Sequence, residues 1–272
     1  MKSTSAIIDN SAWPLNSLLV SQKHRVIYTP IAKNANTSLK RMFVRLSGYP
    51  QSDEILAGDV HTYLTSNPTG LSLCDYSPEK ATQILGDPEY FRYVVLRDPL
   101  VRAVSGYVDK FILYPPPGPH GEPPIVIGTV IDWVYERRGE APDYKRSITF
   151  EEFVGHILES EDRMLDTHFK SQQRYLEQQT FDYTGTLDRM DRLVEVLESR
   201  FDQKIALEHQ NRTLRRKPLL RRRGQEKLLP EQLRAQRSLP HASELLTDAL
   251  AEQLTSRYTK DFQLWQEALA CA

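Results

Sequence analysis

Hydrophobic and polar positions along this chain switch repeatedly between a strand-like run and a helical period. Val26-Ile27-Tyr28 is β-branched and aromatic and predicts a buried strand. A polar turn follows, and Leu39, Met42, Phe43 and Leu46 then recur at helical spacing, with Asn36-Thr37-Ser38 supplying N-cap residues. The same order returns further on. Tyr93-Val94-Val95-Leu96 predicts a central strand with Arg97 at its C-terminal end, Asp98 as N-cap and Pro99 in the first helical turn. Val101, Val104, Val108 and Phe111 give that helix an apolar stripe. Phe150 to Leu158 and Met190 to Phe201 predict helices flanking the sheet, and Leu245, Leu246, Leu250, Leu254 and Tyr258 mark a C-terminal helix. Tyr114 to Pro124 is too proline-rich to continue a helix and reads as an exposed loop, either overhanging an acceptor cleft or inserted without substrate contact.

Both polar turns carry phosphate ligands. The free N–H groups and macrodipole at a helix start form an anion site. Lys33 adds a mobile charge there, and the hydroxyls of Thr37 and Ser38 add donors. In the second turn Arg97 can grip a terminal phosphomonoester bidentately, and Ser105, further along the helix, can face the same cleft. The Gly-x-x-x-x-Gly-Lys-Ser/Thr pattern is absent, which argues against a magnesium-bound nucleoside triphosphate. Two strand-turn-helix anion sites in one chain point to a ligand with two separate phosphate groups.

The segment Pro30-Ile31-Ala32-Lys33-Asn34-Ala35-Asn36-Thr37-Ser38-Leu39-Lys40 resembles the 5′-phosphosulfate loop of the PAPS-dependent sulfotransferases. Arg97-Asp98-Pro99-Leu100-Val101-Arg102-Ala103-Val104-Ser105-Gly106-Tyr107 resembles their 3′-phosphate motif. The nearest likeness is to the chondroitin/dermatan-type carbohydrate sulfotransferases and their bacterial relatives. His168-Phe169-Lys170-Ser171-Gln172-Gln173 resembles a His-aromatic-x-Pro-Gln segment of that group, with Ser171 where Pro is usual. Phe181-Asp182-Tyr183-Thr184-Gly185 is similar to a later strand, and Tyr258-Thr259-Lys260-Asp261-Phe262 to a C-terminal Tyr-x-x-Asp-Phe/Tyr helix. Ala32 stands where the family has Pro, Asn36 where it has a small hydroxyl or thiol residue, and Thr186-Leu187-Asp188 where it often carries Lys and a nearby Glu.

The resemblance implies an α/β fold, a P-loop-like parallel sheet of about five strands flanked by helices on both faces, binding nucleotide at the strand C-termini. A single sulfotransferase domain would span residues 1–272. It implies PAPS (3′-phosphoadenosine 5′-phosphosulfate) as the sulfuryl donor and requires no metal. Lys33, Asn34, Ala35, Asn36, Thr37 and Ser38 would hold the 5′ group, and Arg97 and Ser105 the 3′-phosphate. Lys33 would also meet charge on the leaving phosphate. His61 is the first candidate for the base that deprotonates the acceptor, with Asp59 the alternative; His168 reads as structural, packing near the sheet edge. The acceptor would be a carbohydrate or another small molecule offering a hydroxyl or an amine. A P-loop kinase, or a PAPS-binding module that has lost activity, are the other readings.

A net charge of −1 gives no general pull toward nucleic acid, and the two cysteines, Cys74 and Cys271, indicate no disulfide framework. The first ten residues lack the apolar core of a signal peptide, and no long apolar span predicts a membrane helix. Animal enzymes of the resembled group are Golgi membrane proteins; the expectation here is a cytoplasmic, bacterial version, with the Golgi lumen applying only if an anchor was removed. The run from Arg212 to Arg223 is densely basic, and the resemblance implies a basic, mobile segment over about residues 212–240. It would close the nucleotide site, meet a polyanionic acceptor, or be a solvated surface run.

Overall fold

A computed structural model describes residues 7–114, 123–177, 179–205 and 221–271. Most of the proline-rich loop and the part of the basic run before Arg221 lie outside them. In chain order the elements are β1 (Leu19–Ser21), β2 (Val26–Thr29), α1 (Asn36–Leu46), α2 (Ser52–Ala57), α3 (Val60–Ser66), α4 (Pro78–Gly86), β3 (Phe91–Leu96), α5 (Pro99–Tyr107) and α6 (Ile125–Arg138). Then follow α7 (Phe150–Glu159), α8 (Gln173–Leu176), β4 (Tyr183–Thr186), α9 (Met190–Phe201), α10 (Pro230–Arg234), α11 (Ala242–Leu245), α12 (Asp248–Arg257) and α13 (Thr259–Cys271). They fall into two compact units: Met1–Arg97, Gln172–Asn211 and Leu264–Ala272 form the first, Asp98–Ser171 and Arg212–Gln263 the second.

The first unit is built on the sheet, in the order β1-β2-β3-β4. Its pairs β2·β3 and β3·β4 are parallel and β1·β2 is antiparallel. The expectation of about five parallel strands is corrected to four among the described residues, one of them reversed. The reason is local: only Gln22 to Arg25 connect β1 to β2, and so short a connection can return the chain only antiparallel. Side-chain alternation sorts the two faces. Val26, Tyr28, Tyr93 and Val95 pack with α1, α2, α3 and α9 on one face. Ile27 packs on the other with Ala81 and Ile84 of α4, and Val94 and Leu96 with Tyr175 of α8 and Ala268 of α13. Tyr28, Tyr93 and Tyr183 are register partners across the three parallel strands, and the Tyr28 and Tyr93 rings stack at 4.8 Å.

The second unit is helical. Tyr107, Phe111, Phe150, Phe153 and Phe169 form an aromatic core with the apolar stripes of α5, α6, α7 and α12. The stripe of α9 therefore covers the sheet as expected, whereas that of α7 is spent on this core. After Tyr107 the helix widens into a π turn, with Leu113 N–H donating to the Val108 carbonyl at 2.8 Å. Arg102, 2% exposed, donates to the carbonyls of Lys170 (2.8 Å) and Thr167 (3.2 Å), and the Tyr258 hydroxyl donates to Phe169 O at 2.6 Å. These bonds fix the turn bearing His168, whose Nδ1 lies 2.6 Å from Asp166 Oδ1. Although burial pushes the Asp166 carboxyl up, the hydrogen bonds from His168 outweigh it and hold the group below its ordinary range. The turn backs onto α5 at Gly106, where any Cβ would stand 3.1 Å from the Phe169 ring.

Candidate active site

The first polar turn leaves β2 at Thr29 and enters α1 after Ala35. Lys33 (φ 70°) and Ala35 (φ 53°) both adopt the left-handed region, although neither is glycine. That conformation costs an L-residue on the order of 1–2 kcal/mol, so neighbouring bonds must hold it. Asn34, fully buried between them, donates through Nδ2 to Val95 O at 2.9 Å and to Gln172 Oε1 at 2.6 Å. The same Gln172 oxygen accepts the Arg97 N–H at 3.0 Å, and Gln172 Nε2 donates to Arg97 O at 2.9 Å. Arg97 then reaches back, its Nη1 donating to Lys33 O at 2.7 Å. The side chain predicted to hold one phosphate thus also secures the turn predicted to hold the other.

The N-cap of α1 is Ala35, not Asn36, Thr37 or Ser38, which are already helical. The left-handed Ala35 bends the chain into the helix one residue early. A methyl group cannot fold back over the first-turn N–H groups as a Ser or Asp cap would. No side chain therefore caps the first turn of α1, and a helix start of that kind can serve as an anion site.

His61 stands over the same helix end. Its Nε2 lies 3.0 Å from Thr37 Oγ1, the direction of the bond following the imidazole tautomer. The segment carrying it is placed by Val60 and Leu64, buried beside α1, and by Arg41 of α1, which donates to Leu56 O at 2.7 Å. Asp59 is the N-cap of α3. The Thr62 hydroxyl donates to its Oδ2 at 2.6 Å, and the Thr62 and His61 N–H groups add bonds at 3.0 and 3.3 Å. These bonds, the Thr62 hydroxyl first, hold its carboxyl below the ordinary carboxylate range. A carboxylate so engaged is a weak proton acceptor. Lys40, half-buried on α1, has its ammonium pushed down by burial, against the favourable charge of Asp59.

The first unit thus gathers Lys33, Asn34, Ala35, Asn36, Thr37, Ser38, His61 and Arg97. Ser105 belongs to the second unit, half-buried on α5, the helix that Asp98 caps by accepting the N–H groups of Leu100 (2.8 Å) and Val101 (3.1 Å). Gln172 was not foreseen as a site residue; the signal available was that it closes the His-aromatic-x-Pro-Gln likeness. Of the basic run, Arg222 is committed to structure. Its Nε and Nη2 each donate at 2.8 Å to the Glu244 carboxylate, 1% exposed, and its Nη1 donates to Gln236 Oε1 and, at 3.2 Å, to Ser238 O. Among the described residues no group of three or more His, Cys, Asp or Glu is placed to hold a metal ion. Nor is any described helix long and apolar enough to cross a membrane.

Comparison with known proteins bears on this geometry. The sequence model of the sulfotransferase family matches residues 16–266. Carbohydrate sulfotransferase 10 of Pongo abelii is 29% identical over 161 residues, and that of Homo sapiens 28% over 161 residues; each match takes in 58% of this chain and 42% of the relative. Carbohydrate sulfotransferase 14 of Danio rerio is 27% identical over 158 residues, 57% of this chain and 39% of that protein. The matches therefore span less than half the length of these relatives. No solved structure matches significantly. These relatives are vertebrate proteins, and they overturn the expectation of a cytoplasmic bacterial protein.

Proposed function

The chain belongs to the sulfotransferase family, and from that premise we propose that it moves the sulfuryl group of PAPS in line to a hydroxyl of a carbohydrate acceptor, the whole chain acting as one sulfotransferase domain. The observation that carries the proposal is the start of α1, where a left-handed Ala35 caps the helix without a side-chain hydrogen bond and Arg97, at the end of β3, is bonded to the Lys33 carbonyl of the same turn. PAPS brings the activated group; the protein has to position both reactants and stabilise charge on the leaving phosphate.

In this reading Thr37, Ser38 and the N–H groups of Asn36, Thr37 and Ser38 bind the 5′-phosphate. Lys33 neutralises the charge that develops there as the sulfuryl group departs. Asn34, wholly buried, shapes the turn from beneath. Arg97 and Ser105 take the 3′-phosphate, and that contact rejects nucleotides lacking it, because Arg97 would lose a charged partner. His61 takes the acceptor proton, a role worth roughly 10²–10⁴ in rate.

Calorimetric titration with 3′-phosphoadenosine 5′-phosphate, AMP and ATP tests the reading. Micromolar binding that requires the 3′-phosphate and is lost in Arg97→Ala is the expected result. Equal binding of ATP would instead favour a phosphate-loop enzyme of another kind, and binding of none of the three would sink the proposal.

A further inference from the structure

The bonds around Gln172 form a closed circuit. From Lys33 O it runs to the Arg97 guanidinium, through the Arg97 main chain to the Gln172 amide, then to the Asn34 amide, which is one peptide bond from Lys33. Each member is fixed by geometry. Gln172 and Asn34 are 0% exposed, so their bonds face no competing water. Asn34 gives both Nδ2 protons to carbonyl acceptors, and its Oδ1 is buried with no partner among the described residues. Its amide orientation is therefore set by the acceptors, Gln172 Oε1 among them, at the cost of an unsatisfied oxygen. Arg97 and Gln172 are also the residues at which the chain leaves the first unit and returns to it.

We propose that Gln172 is a positioning residue that joins the two anion turns into one device, so that a 3′-phosphate held by Arg97 and a 5′ group held by the Lys33 turn are bound interdependently. The proposal rests on the nucleotide reading above and adds to it a coupling between its two ends. Arg97 cannot shift toward a phosphate without moving either its bond to Lys33 O or its main-chain clasp on Gln172. Both lead to the left-handed Lys33, whose ammonium would meet the transferred group. A Gln172 that only filled space would weaken all ligands alike and act independently of Arg97.

Two measurements on the full chain test this. In hydrogen exchange of the ligand-free protein, Gln172→Ala should lower protection at Asn34 and at Arg97 together, while β1 and β2 stay as in wild type. Loss at Arg97 alone, with the Asn34 amide unchanged, would overturn the coupling whether or not any nucleotide binds. The second is calorimetry with adenosine 3′,5′-bisphosphate, 5′-AMP and 3′-AMP on wild type, Gln172→Ala, Gln172→Glu, Arg97→Ala and Arg97→Ala/Gln172→Ala. Loss of about tenfold for the bisphosphate, with less for either monophosphate, is expected in Gln172→Ala. The Arg97→Ala effect should shrink at least several-fold in the Gln172→Ala background, as interacting sites require. Gln172→Glu keeps the acceptor but loses the donor to Arg97 O and should fall between. Equal loss for all three nucleotides with additive double-mutant effects would reduce Gln172 to packing. Wild type failing to bind the bisphosphate would fell the nucleotide reading, leaving hydrogen exchange to decide the circuit.

Discussion

Replacing Glu244 by Gln probes a buried charge pair that closes the described end of the basic run. Arg222 folds its guanidinium around a carboxylate that is 1% exposed, itself remaining 34% exposed. The Arg222 hydrogen bonds, ahead of every other influence, pull the Glu244 carboxyl from its ordinary 4.5 down to about 2. At about 1.4 kcal/mol per pKa unit that displacement is worth roughly 3 kcal/mol. Breaking a buried, hydrogen-bonded pair from one side gives a similar figure, about 3–5 kcal/mol. Because water reaches the arginine, and Gln can still accept one of its bonds, the expected cost is discounted below that range, to ~2 kcal/mol at neutral pH. The sign follows from the lowered folded pKa. The stabilisation is complete above pH 4.5, the unfolded value, and drains away as pH falls through about 2. Urea unfolding of wild type and Glu244→Gln should therefore differ by a constant amount from pH 7 to pH 5, then converge below pH 4.5. A difference that persists undiminished at pH 2.5 would show that the energy comes from shape and not from charge.

Other expectations follow from the same structure. Burial, reinforced by the charge of Arg137, lowers His156 from 6.5 to about 4. Its neutral ring favours the folded state above pH 6.5, and this contribution, up to roughly 3 kcal/mol, is lost as pH falls toward 4; a His156→Phe variant should lack that limb in a pH series of melting curves. Gly106→Ala should lower stability by ~1–2 kcal/mol in chemical denaturation, since a Cβ 3.1 Å from the Phe169 ring outweighs the better helix propensity. Ala35→Gly should stay within about 1 kcal/mol of wild type, whereas Ala35→Val should cost more, because φ 53° suits glycine and penalises a branched side chain. His61→Asn should reduce transfer at least a hundredfold, on the order of what general-base loss costs, while nucleotide affinity by calorimetry changes only a few-fold.

The strand-turn-helix units were legible because period and caps agree locally. β2, β3, α1, α5 and α9 lie where the apolar spacing put them, and Asp98 caps α5 as its residue type predicts. His61 was legible only through likeness to a family, since nothing around it in sequence says that Thr37 will be 3.0 Å away. The cap of α1 was misread for an instructive reason. Asn36, Thr37 and Ser38 are all favoured caps, but bonds from distant residues hold the turn so that Ala35 takes the position. Gln172 showed only as the last position of the His-aromatic-x-Pro-Gln likeness and not as a site residue: a glutamine has no local preference that announces burial, and its partners are 75 and 138 residues away along the chain. The reversed β1 was missed because a three-residue strand carries too little pattern to show its direction.

A turn proposed to hold a phosphate, and made with lysine and alanine instead of glycine, has a thermodynamic consequence. A glycine-rich turn samples many shapes when empty, and its ligand must bear the entropy of ordering it. Here that loss is incurred when the chain folds, with left-handed Lys33 and Ala35 bracketing a fully buried asparagine. An anion bound there, as proposed, would meet a mould already set, so its binding free energy would go to recognition and not to ordering the loop that recognises it.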